Sequence, residues 1–248
     1  MKIFRTRFKK DIVAEVAMPP KKSSKAILLF TGMPSMPSKK EVLEFWAKKG
    51  YWVFYPRYRG TWESGGDFLK LSPEKDVLDV ISAVQSGFED FEDGRKYKLD
   101  LKSLYLFGSS FGGTAVLLNS KNPKVNKVIA FSPVIDWRVP SKAEPIDWLG
   151  KFVKKAYGHV YRFSNKNWAK LKKGNFYNPV TELEKIDGRK IMIIHAKDDR
   201  TVSYLPCWKF AEKTGAKLIL LKKGGHMGSR NFINPKFQKE INKFLAVK

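Results

Sequence analysis

Three kinds of residue are scarce in this chain. Of its 248 residues one is cysteine, three are histidine, and 24 are acidic against 48 lysines and arginines. A lone Cys207 excludes an intrachain disulfide, and a reducing, cytoplasmic location is the expectation. No apolar run approaches the roughly 18–20 residues that a membrane span needs. The opening MKIFRTRFKK mixes charged with apolar residues and lacks the apolar middle of a signal peptide. With so few imidazoles, any histidine base has to be His159, His195 or His226.

What is plentiful is lysine. The formal net charge is +24, and the lysines are spread over nearly every expected helix and turn. That spread favours a solvated surface over a nucleic-acid groove, since no finger, helix-turn-helix or RNA-binding signature accompanies it. The apolar fraction of 43% and aromatic fraction of 14% are those of a globular chain, long enough to bury a core.

Apolar periodicity divides most of the chain into alternating strands and helices. Residues 2–8 and 12–17 read as a hairpin, and 25–31, 51–56, 103–108, 127–134, 190–196 and 216–223 as strands. Helices are expected over 38–49, 73–88, 110–119, 203–214 and 234–246. Such alternation predicts an α/β fold, with a mostly parallel sheet covered by helices on both faces. The alternation lapses at 136–183, which follows the sixth strand, is rich in aromatics and lysine, and holds two short helices near 145–157 and 165–173. Ser164 suits an N-cap and Gly174 a C-terminal stop for the second. The expected organisation is a core of 1–135 and 184–248, with 136–183 inserted as a small helical cap over the C-terminal edge of the sheet.

The stretch SLYLFGSSFGG (103–113) runs from a strand into two adjacent serines. In the pattern Gly-x-Ser-x-Gly, the serine sits on a strained strand-to-helix bend, and the flanking glycines let strand and helix backbones approach. Centred on Ser110, the glycines are Gly108 and Gly112; centred on Ser109, those positions are Phe107 and Phe111, too bulky for the bend. Ser110 is the candidate nucleophile. A serine hydroxyl needs a base. His226, in the flexible KKGGHMG loop after the last strand, is better placed than His195 at a strand end or His159 among cap tyrosines. The imidazole in turn needs a carboxylate. HAKDDRTV (195–202) offers Asp198 and Asp199; Asp199 is preferred because Val202 follows at Asp-x-x-Val spacing, and Asp136 is a distant third.

Together GSSFGG (108–113), YRGTWESGG (58–66), HAKDDRTV (195–202) and GGHMG (224–228) resemble the α/β-hydrolase superfamily, in particular the branch of prolyl-oligopeptidase-like catalytic domains and small esterases. The resemblance covers nearly the whole chain. It implies an eight-stranded, mostly parallel sheet and a serine-hydrolase mechanism through an acyl-enzyme, with no metal and no cofactor. It also implies an oxyanion hole from the backbone N–H groups of Phe111 and Met33, although Thr31 stands where relatives often carry histidine before the glycine. Arg59 and Gly60 are expected to brace their loop.

The implied substrate is a small carboxylic ester, anionic or aromatic to suit the cap's lysines and aromatics. Trp137, Trp148, Tyr161 and Trp168 are the expected substrate contacts, the plainer alternative being that they pack cap onto core. The peptidase relatives carry a propeller before this domain, and a hairpin starting at residue 2 favours the esterase over a small-peptide peptidase. A basic binding protein on a hydrolase scaffold is a third reading, and no specific nucleic-acid partner is expected.

Overall fold

The computed structural model describes residues 1–247; Lys248, the last residue of the expected core, lies outside the described residues. Eight strands form one sheet. They are β1 (Ile3–Phe8), β2 (Ile12–Ala17), β3 (Lys25–Phe30), β4 (Trp52–Pro56), β7 (Ser103–Ser109), β8 (Lys127–Phe131), β9 (Ile191–Ala196) and β10 (Lys217–Leu221). Their order is β1-β2-β4-β3-β7-β8-β9-β10. Only β2 runs against the others, pairing antiparallel with β1 and β4; from β4 to β10 every pairing is parallel. A separate two-stranded ribbon joins β5 (Phe88–Glu89) to β6 (Lys96–Tyr97). Two residues per strand are too few to leave a period in the sequence, and the ribbon was not expected.

Strand alternation sorts side chains onto two cores. Ala26, Leu28 and Phe30 of β3 join one and Ile27 and Leu29 the other; β9 divides likewise, with Ile191 and Ile193 against Met192 and Ile194. The second core is closed by helices α1 (Lys40–Lys48) and α7 (Pro235–Ala246), through Val42, Leu43, Trp46, Phe237 and Ile241. The first is closed by α2 (Glu74–Ser86), α3 (Phe111–Leu117) and α6 (Tyr204–Thr214). Residues 136–183 add α4 (Ile146–Tyr157), α5 (Asn165–Ala169) and short 3₁₀ turns, and drive Leu149, Val153, Tyr161, Trp168, Leu171 and Tyr177 into that same first core. The Ser164 side chain caps α5 by accepting from the Asn167 N–H, and Gly174 ends the turn after it in the left-handed region.

In a parallel sheet, loops leaving the C-terminal strand ends gather at one edge. Here these are the loop after β3, the β7–α3 bend, the turn after β8, the turn after β9 and the loop after β10. The β7–α3 bend is the tightest: a Cβ on Gly112 would lie 2.3 Å from the Phe30 carbonyl oxygen, and one on Gly108 2.4 Å from Val116 Cγ2 and 2.5 Å from the Gly112 oxygen. Because those neighbours are largely backbone, they have little room to give. Gly112→Ala should therefore destabilise the protein by about 3 kcal/mol, lowering Tm by roughly 6–12 °C. A thermal melt unchanged from wild type would show that the bend is not packed this closely.

Candidate active site

Ser110 sits where β7 gives way to α3, with φ 51° and ψ −122°. For a residue with a Cβ this backbone costs of the order of 1–3 kcal/mol and persists only because its surroundings impose it. Ser110 N–H donates to the Phe131 carbonyl at 2.9 Å, fixing the bend to the end of β8. The Ser110 side chain is left partly open, whereas Ser109 is 1% exposed and belongs to the strand. The bend thus presents one hydroxyl and buries the other.

His226 and Asp199 are brought together across the chain: His226 Nδ1 lies 2.8 Å from Asp199 Oδ2. The reason for the Asp-x-x-Val spacing is visible in the turn, since Asp199 Oδ1 accepts from the N–H groups of both Thr201 and Val202, each at 2.9 Å. Burial works against an ionised Asp199, but the hydrogen bonds from His195, His226 and the turn outweigh it and hold the carboxyl well below the usual carboxylate range. A permanently charged acceptor on Nδ1 fixes that nitrogen as the one carrying the proton and leaves Nε2 as the basic one. The His226 side chain is 27% exposed.

Asp198 has a different partner. Its Oδ1 accepts from Gly224 N–H and Gly225 N–H, both at 2.9 Å, and so ties down the histidine loop from the strand next to it. Met227 N–H adds a 3.2 Å bond to Ser132 Oγ, anchoring the loop one residue from Phe131, which holds Ser110. Asp136 is turned to Arg138 and Asn178. His159 lies exposed on a 3₁₀ turn, and His195 is completely buried behind Asp199. Among the described residues no hydrogen bond joins Ser110 Oγ to His226, and His226 is not among the residues lining the cavity that Ser110 lines. What links the two loops is the end of β8, through Phe131 to Ser110 and Ser132 to Met227.

The Phe111 and Met33 N–H groups donate to nothing among the described residues, and both residues line one cavity with Ser110. A Cβ on Gly32 would come within 3.1 Å of Ser110 Cβ and 3.5 Å of its Oγ, so the backbone before Met33 runs directly beside the hydroxyl. Where relatives often carry histidine, Thr31 Oγ1 bonds Ser35 Oγ at 3.0 Å and the Tyr55 hydroxyl at 3.2 Å. Ser35 N–H donates to the Tyr161 hydroxyl and its carbonyl accepts from Trp62 Nε1, each at 3.0 Å. A hydroxyl network therefore holds this loop. Tyr177 donates to the Phe111 carbonyl at 2.5 Å and packs on its ring at 4.8 Å, fixing the peptide on the other side. Neither role has a sequence signal, because each is made only by tertiary contact.

The cavity has a volume of about 420 Å³. Its apolar lining comes mainly from Met33, Val134, Ile135, Trp137, Leu149 and Pro206, and its charged lining is Asp136, Arg138, Glu144, Asp147 and Lys172. Asp136 pairs with Arg138 and Asp147 with Lys172, while Glu144 forms no ion pair among the described residues. Of the four aromatic residues expected to contact substrate, only Trp137 lines it. Trp148 points to solvent at 49% exposure, stacked on Phe152. Tyr161 and Trp168 are buried, the first bonded to Ser35 and the second donating from Nε1 to the Ile146 carbonyl. Packing claims these two because their polar atoms find partners inside the fold.

The motif loop 58–66 is braced by Arg59, which bridges three carboxylates: Asp11 through Nε at 2.8 Å, Asp76 through one terminal nitrogen at 2.5 Å and Asp79 through the other at 2.7 Å. Gly60 is in the left-handed region with no room for a Cβ beside Phe68. Tyr58 of this loop and Phe68 just after it pack on Phe111 at 5.3 and 5.5 Å, so the brace supports the residue that follows Ser110.

The sheet order and the helices on both its faces are those of the α/β-hydrolase fold. Residues 37–247 match the model of the prolyl oligopeptidase family, and the chain belongs to that family. Comparison with curated proteins finds no match. Among solved structures it is similar to the Pyrococcus furiosus esterase Pf2001, at 19% identity and TM-score 0.70 over 98% of this chain and 90% of that one. The acylaminoacyl peptidase of Pyrococcus horikoshii gives 20% identity and TM-score 0.64, over 98% of this chain but 41% of that one. Est1E from Butyrivibrio proteoclasticus matches over the full length of both chains at 14% identity and TM-score 0.67. Among the described residues no helix is long and apolar enough to cross a membrane.

Because the folded state holds Asp199 ionised, the stability this residue contributes is present above its unfolded-state pKa near 3.9 and is lost as pH falls below it. Urea unfolding of wild type and Asp199→Asn should show a gap in midpoint that is constant above about pH 5 and narrows below about pH 4. A gap that widens on acidification would contradict the charged, hydrogen-bonded carboxylate.

Proposed function

We propose that the protein is a carboxylesterase in which Ser110 is the nucleophile, His226 the general base and Asp199 the residue that orients and stabilises the imidazole. Ser110 Oγ attacks the ester carbonyl while His226 Nε2 takes its proton; the Oγ–carbonyl bond forms and the carbonyl electron pair moves to oxygen. The Phe111 and Met33 N–H groups receive that oxyanion, each donor being worth about 3 kcal/mol in such sites. His226 then returns the proton to the departing alcohol. Water, deprotonated by the same imidazole, attacks the acyl-enzyme and frees the acid and Ser110. The Ser110–His226 hydrogen bond is made as substrate is engaged, as catalytic contacts commonly tighten only in the substrate complex.

The observation that carries this reading is the 2.8 Å bond from the His226 ring to a buried Asp199 carboxylate, at the same sheet edge as a serine held at φ 51°. The ester preference rests on the cavity: its body is apolar, and two of its three acids, Asp136 and Asp147, are paired with cations, leaving Glu144. The apolar body suits an uncharged acyl chain, and Glu144 is the group there that a peptide's ammonium would have to meet.

A series of p-nitrophenyl esters of rising acyl length should be hydrolysed, with aminoacyl anilides left nearly untouched. Ser110→Ala should lower kcat by roughly four to six orders of magnitude. Full esterase activity in Ser110→Ala would refute the mechanism, and anilides cleaved faster than esters would assign the site to peptides instead.

A further inference from the structure

Asp199 receives a second imidazole that the three-residue mechanism does not use. His195 Nε2 lies 3.0 Å from the Val202 carbonyl oxygen and 3.3 Å from Asp199 Oδ2. A carbonyl only accepts, so the Nε2 of His195 carries a proton. Its other nitrogen, Nδ1, is 3.1 Å from Cys207 Sγ. Burial pushes the Cys207 thiol well above its ordinary value, so the sulfur keeps its hydrogen, and both His195 Nδ1 at 3.1 Å and the Pro133 carbonyl at 3.4 Å stand as its acceptors. The Val202 carbonyl thus fixes a proton on Nε2 of His195, and the ring is completely buried.

The contacts close a ring around the acid. Val202 N–H reaches Asp199 Oδ1, the Val202 carbonyl receives His195 Nε2–H, and the weaker leg of that same N–H reaches Oδ2. Oδ2 is also the oxygen that meets His226. With Thr201 N–H and Val202 N–H on one oxygen and His195 and His226 on the other, the carboxylate has no free rotation left. An unpaired Oδ2 would otherwise be free to turn toward any other donor.

We propose that His195 is a positioning residue, whose Nε2–H locks the 199–202 turn and holds the Asp199 carboxylate in the orientation that receives His226. It touches neither substrate nor the reacting atoms. Its kinetic consequence rests on the hydrolase reading above, while its effect on the His226–Asp199 bond does not.

Three variants separate this role from simple packing. The side-chain nitrogen of His195→Gln reaches the position of Nε2; that of His195→Asn reaches only the position of Nδ1; His195→Leu has neither. Measured on the fastest p-nitrophenyl ester, His195→Leu and His195→Asn should lose about ten- to a hundredfold in kcat with KM within about twofold of wild type, and His195→Gln should recover most of the loss. The downfield proton resonance of the His226 Nδ1–H bond to Asp199 should move in Leu and Asn and stay in place in Gln. If His195→Leu fails to fold, the Asn and Gln pair decides alone. A folded His195→Asn or His195→Leu with wild-type kcat and an unmoved resonance would overturn the proposal, as would Gln and Asn impaired alike. Should wild type hydrolyse no ester at all, the esterase reading falls, and the resonance still decides the role of His195.

Discussion

The hydrogen bond between His226 Nδ1 and Asp199 Oδ2 joins loops that leave two different strands, β9 and β10. It exists because β9 and β10 are parallel neighbours, with His195 opposite Leu220 and Ala196 opposite Leu221, so both chains turn out of the sheet at the same edge. Burial disfavours a charge on the acid, but its many donors keep it charged, and a charged acid leaves the histidine no choice of tautomer. Asp198, one residue earlier, holds the glycine-rich backbone on which the histidine rides. Neighbouring aspartates thus divide the work: one orients the ring, the other its loop.

The serine end of the site is built by a different physics. No ion pair forces Ser110 into its conformation; close packing does. Glycines at 108 and 112 remove the Cβ atoms that would separate strand from helix, and the bend that results sets Ser110 and Phe111 on the wall of one cavity. Phe111 is held in turn by Tyr58, Phe68 and Tyr177, so the aromatic cluster beneath the site serves the position of a peptide N–H. The Arg59 clamp on three carboxylates lies one layer further out and fixes the loop that carries Tyr58 and leads into Phe68.

Much of this was legible in the residues. Strand and helix boundaries fell within a few positions of those read from periodicity, because each strand of a two-faced sheet must supply both cores and each covering helix one stripe. The choice between Ser109 and Ser110 followed from side-chain bulk alone, and the preference for Asp199 over Asp198 from a spacing whose cause is the Val202 N–H. What could not be read were roles that exist only between distant elements: Asp198 on Gly224 and Gly225, Thr31 on Tyr55, Tyr177 on Phe111. The aromatics of 136–183 show the limit plainly. Trp137, Trp148 and Trp168 look alike in sequence, yet one lines the cavity, one faces solvent and one is buried with its indole N–H satisfied. Composition says that such a segment is aromatic, and only tertiary packing says which ring is left for a ligand.

The central claim is that one buried carboxylate, acting through one imidazole, makes one of two adjacent serine hydroxyls reactive. Labelling with a serine-directed fluorophosphonate, with the adduct located by peptide mass spectrometry, addresses all three parts at once. The account predicts an adduct on Ser110 alone, formed much more slowly in Asp199→Asn and in His226→Ala. An adduct on Ser109, or labelling of Ser110 at the wild-type rate in Asp199→Asn, would contradict it.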